Sequence, residues 1–168
     1  MQNQQGESFE IIDAERLDYS AQLSYITRLG KEYIKMVEDL PAPLRKDELF
    51  ANWSLKDILA HFSGWNILTI ESIECILNGG TALWFDDSKL NDFNHASVSQ
   101  RSTKTWCEVF EEFTLTLRLL IELYSRLTPD QLKLPFGDGT VSDALPTDIN
   151  HYMFHYGELK EVLESLEN

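Results

Sequence analysis

The stretch "NHYMFHYGEL", Asn150 to Leu159, sets two histidines four positions apart. On a helix this spacing puts both imidazoles on one face with Cβ atoms about 6 Å apart, close enough to share one metal ion through their nitrogen lone pairs. Two ligands do not make a site, and the same spacing equally describes two rings that simply pack. A third histidine, His61 in "LAHFSGW", falls between Ile58 and Trp65 on a face that reads as buried. There its ring nitrogens need partners, because a buried polar group left unpaired costs about 1–3 kcal/mol, and a metal ion would satisfy one of them. His95, beside Asn94 in a polar stretch, reads instead as a solvated side chain.

The elements that must carry these residues are helical. Gly and Pro are sparse and separate long segments with apolar residues every three or four positions, while no comparable alternation at period two occurs. A first helix is expected to follow Asp13 and run to about Leu40, where "LPAP" stops it. "WSLKD" opens a second, with Ser54 as cap and Asp57 at the third position, continuing from Leu55 to Asn78 before Gly79 and Gly80. "TWCE", Thr105 to Glu108, is a capping box for a third helix ending near Leu127, and "TPDQ" starts one or two further turns. "FGDGT" reads as a turn. The last helix begins between Ser142 and Pro146, with Pro146 in its first turn, and reaches about Leu166.

Between the second and third helices, Thr81 to Thr103 is polar and irregular, with a short helix expected around "DFNHASVSQR". A connection this long is uncommon unless it has a task such as covering a pocket. Four amphipathic helices with one long connection between helices 2 and 3 describe an all-α four-helix bundle. At 168 residues and 43% hydrophobic, the chain fits one domain over 1–168, with residues 1–10 flexible.

Charge and composition narrow the partners. A net charge of −14 argues against nucleic acid and against an anionic membrane. The opening "MQNQQGESFE" resembles no secretory signal and no apolar run could span a bilayer, so a soluble, cytoplasmic protein is expected. Cys75 and Cys107 both fall in helical stretches and read as small buried apolar residues. Neither a Gly-rich nucleotide loop nor a nucleophile elbow is present.

Asn52 to Asn66, "NWSLKDILAHFSGWN", resembles the hallmark of the DinB/YfiT-like superfamily, and "INHYMFHYGEL" resembles its second signature on the final helix. The connection "SKLNDFNHASVSQRSTKTWCEVFEEF" is similar to the branch with ClbS/DfsB-type proteins and DinB-like maleylpyruvate isomerase domains. The similarity spans roughly residues 15 to 165. It implies a four-helix bundle with a divalent transition metal, nickel or zinc foremost, held near one end by His61, His151 and His155. Three neutral imidazoles leave an open coordination position, as catalytic rather than structural sites do, and that position suits a water or a thiol.

The resemblance thus implies a metal-dependent hydrolase, or a transferase using a low-molecular-weight thiol, acting on a small electrophilic molecule. Isomerisation and self-protection against a toxic compound are among the family's uses. The alternative is a binding protein that sequesters a toxic small molecule in an apolar pocket lined by Phe62, Trp65 and Phe154. A homodimer is expected because relatives often pair. From spacing, Asp57, one turn before His61, and Glu158, three residues after His155, are candidates to orient an imidazole. Their competing readings are a helix cap for Asp57 and a solvated face for Glu158. Trp65 reads as core or pocket wall, and Arg101 as an exposed loop residue rather than an anchor for a carboxylate or thiol cofactor.

Overall fold

Asp18, not Asp13, opens the first long helix. The structure is a computed structural model that describes residues 12–83 and 87–166, so the expectation for residues 1–10 lies outside the described residues. Asp13 leads only into a single 3-10 turn, Ala14–Arg16, after which Leu17 and Asp18 are extended and Asp18 accepts the Ala21 amide at 2.9 Å. The extended pair breaks the helical run and moves the start to α1, Tyr19–Asp39. Leu40, extended before Pro41, ends it, as the steric clash with a following proline requires.

Two short strands, β1 (Glu48–Phe50) and β2 (Trp53–Ser54), form an antiparallel hairpin that delivers the chain to α2, Leu55–Leu77. Here the cap is complete. Ser54 Oγ accepts the Asp57 amide, while Asp57 Oδ2 accepts the Ser54 amide at 3.0 Å and the Ser54 hydroxyl at 2.6 Å. The expected short helix in the long connection is α3, Leu90–Ser99. Thr105 and Glu108 cap α4, Trp106–Arg126, in the same reciprocal manner. "TPDQ" yields one 3-10 turn, Gln131–Lys133. "FGDGT" closes a second hairpin, β3 (Pro135–Phe136) with β4 (Gly139–Thr140), and Gly137 supplies the positive φ of 58° that its turn needs.

The final helix, α5, spans Val141–Leu166. It therefore starts earlier than expected and carries Pro146 inside its second turn. The reason is at the N-terminus: Asp143 Oδ2 accepts the Thr140 amide at 2.8 Å and the Thr140 hydroxyl at 2.9 Å, a cap that begins the helix ahead of the proline.

The architecture is all-α. Helix α1 packs on α5 and α4, α2 packs on α4, and α3 lies across α2. The tight crossing of α3 depends on Gly64, where an added Cβ would lie 2.2 Å from Ser97 Oγ. At the core's centre Tyr33 meets Phe62, Phe113 and Tyr152 edge-on, with centroids 5.4, 6.0 and 6.3 Å away. Phe62 stacks flat on Tyr152 at 4.2 Å. Asn66 ties three helices together inside this core, donating to Thr116 Oγ1 at 3.2 Å and to Tyr152 Oη at 3.0 Å. The cysteines depart from expectation, Cys107 being exposed and Cys75 half-buried, because both face away from the apolar stripes of their helices. Among the described residues no helix is long and apolar enough to cross a membrane.

Candidate metal centre

Two helix faces converge at one end of the aromatic core. On α2 the residues His61, Trp65 and Thr69 follow at four-residue steps, and on α5 Asp148, His151 and His155 follow at steps of three and four. These faces bring His61, His151 and His155 together, with one ring nitrogen from each lying within 4.8 Å of the others. His61 Nε2 and His151 Nε2 are 2.8 Å apart. The ring centroids are separated by 4.8 Å for His61 and His151, 5.4 Å for His61 and His155, and 5.1 Å for His151 and His155. Phe62, fully buried, is the floor beneath His151 and His155, 5.0 Å from each.

Burial keeps all three rings neutral. Desolvation pushes His61 down to about 2, His151 to about 3 and His155 to about 4; the rings of His151 and His155 add to the cost of charging His61, and that of His155 to the cost of charging His151. Neutral imidazoles with available lone pairs are what a transition-metal ion binds. His155 Nδ1 lies 2.7 Å from Glu158 Oε2, so that ring donates its Nδ1–H to the carboxylate and leaves Nε2 as its acceptor.

His61 Nδ1 is buried without a hydrogen-bond partner among the described residues. In the direct His61–His151 contact only one of the two facing Nε2 atoms can carry the proton, so the contact satisfies the two rings with a single hydrogen bond. A cation between them would take both lone pairs. Nitrogens around a common tetrahedral ion stand about 3.4 Å apart, so the observed spread asks for side-chain shifts of about 1 Å. The donor set and its protonation state fit a divalent transition metal.

The surroundings sort the other candidates. Glu158 holds His155, as spacing suggested. Asp57 is occupied by the cap of α2. Trp65 is half-buried, with its centroid 6.3 Å from His61 and 6.1 Å from His151, and its indole Nε1 donates to Asn94 Oδ1 of α3 at 2.9 Å. His95 is exposed, as expected. Arg101 is not: it is only 6% exposed, donating to the Ser97 carbonyl and to Glu112 Oε1 at 2.8 and 3.0 Å. The turn after α3 folds the guanidinium inward, where the half-buried carboxylate of Glu112 on α4 pairs with it, so it braces the connection. The apolar pocket expected from Phe62, Trp65 and Phe154 does not form, since Phe62 is core and Phe154 is 64% exposed on the outer face of α5. The opening at the histidines is instead a groove of about 260 Å³ whose walls include Phe50, Trp53, Ile58, His155 and Glu158.

No protein-family model matches this sequence, and no curated protein matches it. Solved structures do. The colibactin self-resistance protein ClbS, in complex with a double-stranded DNA, superposes with a TM-score of 0.77 at 15% identity, over 85% of this chain and 93% of that one. An uncharacterised protein from Escherichia coli UTI89 gives 0.78 at 16% identity, over 89% and 94%. The mycothiol-dependent maleylpyruvate isomerase gives 0.74 at 12%, over 89% of this chain and 63% of that longer one. What these three proteins share with this chain is the fold.

The shared fold also corrects an expectation. Net charge had argued against nucleic acid, yet a protein of this fold is seen in complex with duplex DNA. Whole-chain charge averages over a surface that carries both signs, so it does not decide what one face binds. The exclusion therefore does not stand. Two residues of the site were not named from sequence. Asn94 reaches Trp65 only because α3 folds back onto α2, which nothing local signals. Asp148, by contrast, was legible as the next residue down the face of His151 and His155.

Proposed function

We propose that this chain is a metal-dependent enzyme acting on a small electrophilic molecule, as a hydrolase or as a transferase using a low-molecular-weight thiol. The observation that carries the reading is the convergence of three buried, neutral histidines at one end of the bundle, beside an open groove. A nickel or zinc ion held by His61, His151 and His155 would supply a Lewis acid that lowers the pKa of a water or thiol.

The chain's own residues do the rest. Glu158 fixes the tautomer of His155 by accepting from Nδ1, so that Nε2 faces the centre. Phe62 and Trp53 exclude water from two sides, the Trp53 centroid lying 5.0 Å from His61. The apolar side chains of Phe50, Trp53 and Ile58 in the groove suit the apolar part of a small reactant. A mycothiol-dependent isomerase and a self-resistance protein share the fold, which supports use of a low-molecular-weight thiol and a toxic small molecule as reactant.

Elemental analysis of protein purified without chelator tests the reading. About one nickel or zinc per chain is expected, lost on His155→Ala; metal-free protein whose melting temperature ignores both ions would overturn it. A second reading, sequestration without turnover, is favoured by the additional cavity behind Trp65. Under it, a bound toxic molecule is recovered chemically unchanged.

A further inference from the structure

Trp65 lines a second cavity, of about 250 Å³, which none of the three histidines reaches. Its walls come from α2, from the β3–β4 hairpin and from the first turns of α5. Trp65 and Phe136 provide aromatic surface, Asp138, Asp143 and Asp148 provide carboxylates, and among the described residues no Lys, Arg or His lines it.

Of the carboxylates, Asp148 is the informative one. Asp143 is engaged in capping α5. Asp148 is half-buried, and its Oδ2 accepts the Tyr124 hydroxyl at 2.6 Å, while Oδ1 has no partner among the described residues. Burial outweighs that hydrogen bond and pushes Asp148 up to about 7, so the ionised form is poorly stabilised by the protein alone. A neutral apolar ligand would bury the carboxylate further without pairing it, and an anion would meet like charge. A cation would meet both the carboxylate and the ring faces of Trp65 and Phe136.

We propose that this cavity is a recognition subsite for a small organic cation, an amine, amidine or guanidinium carried on an apolar frame. Asp148 precedes His151 by three residues on α5, about 4.5 Å along the axis, so the cavity lies within one helical turn of that histidine. That the cation is part of a substrate rests on the reading of the three-histidine centre as the reacting site; cation binding itself does not.

The test uses the whole chain, made metal-free with chelator, at about pH 8, where Asp148 is mostly ionised. Protonated benzylamine and its neutral counterpart benzyl alcohol are titrated by calorimetry. An about tenfold preference for benzylamine is expected, abolished by Asp148→Asn, whose amide oxygen can still accept from Tyr124. On the unaltered protein, intermolecular NOEs from benzylamine ring protons to Trp65 and Phe136 are expected as well. Equal affinities, no binding of either probe, absent NOEs, or a preference that survives Asp148→Asn would each overturn the proposal. Because metal is absent throughout, benzylamine binding by a protein that takes up no nickel or zinc would sink the metal reading and retain this site.

Discussion

Glu158 Oε2 sits 2.7 Å from His155 Nδ1, a contact made within one turn of α5 that determines which nitrogen of His155 faces the other two histidines. Removing it frees the ring to rotate and to exchange tautomers. Glu158→Ala is expected to weaken nickel or zinc affinity about 10- to 100-fold while leaving the far-ultraviolet circular dichroism unchanged. Unchanged affinity by calorimetry would mean that packing alone orients the ring.

His61 carries a buried nitrogen without a partner, and groups of that kind lower stability where function retains them. Replacement of His61 by Leu should abolish metal binding while changing the stability of the metal-free protein by less than about 1 kcal/mol, because it removes one unpaired nitrogen, Nδ1, but leaves His151 Nε2 without its partner, as urea denaturation will read. A large loss of stability instead would identify His61 as a packing residue.

Protonation acts on the two ends of the pH range through different residues. The three histidines are held at about 2, 3 and 4 in the fold, below the ordinary 6.5, so below about 6.5 the unfolded chain takes up protons that the native state refuses. Metal-free stability is expected to fall as pH drops from 6.5 toward 4. Asp148 has the opposite sign: held at about 7 against 3.8, its contribution is complete below 3.8 and is lost as pH rises through 7. Asp148→Asn should therefore exceed the parent protein in stability above about pH 7 and not below about pH 4, as urea unfolding across pH will reveal.

Gly64 permits the crossing of α2 by α3, because a methyl group there would collide with Ser97 Oγ and Cβ at 2.2 and 2.7 Å. Gly64→Ala is expected to cost about 1–3 kcal/mol and to loosen α3, raising amide exchange across residues 90–99 and releasing Trp65 from Asn94. A red-shifted indole emission would report that release, and unaltered exchange in α3 would refute it.

Much of this protein was written into local sequence. The caps formed by Ser54 with Asp57 and by Thr105 with Glu108, and the stop before Pro41, are decided by interactions between residues three or four apart, so they and the helices they bound could be read without a fold. Helical periodicity likewise put His151, His155 and Glu158 on one face, and the resemblance of "LAHFSGW" added His61.

What local sequence did not contain is anything fixed by residues distant in the chain. The 2.8 Å approach of His61 to His151 spans ninety positions and exists because α2 and α5 pack against one aromatic core. Arg101 turned inward because Glu112 of another helix offered it a half-buried carboxylate, and Phe154 turned outward because Tyr152 and His155 took the core side of α5. Short-range hydrogen bonds and periodicity determined the helices and nominated the ligands. Long-range packing alone decided which side chains are dry, which are paired, and that a carboxylate-lined cavity lies beyond Trp65.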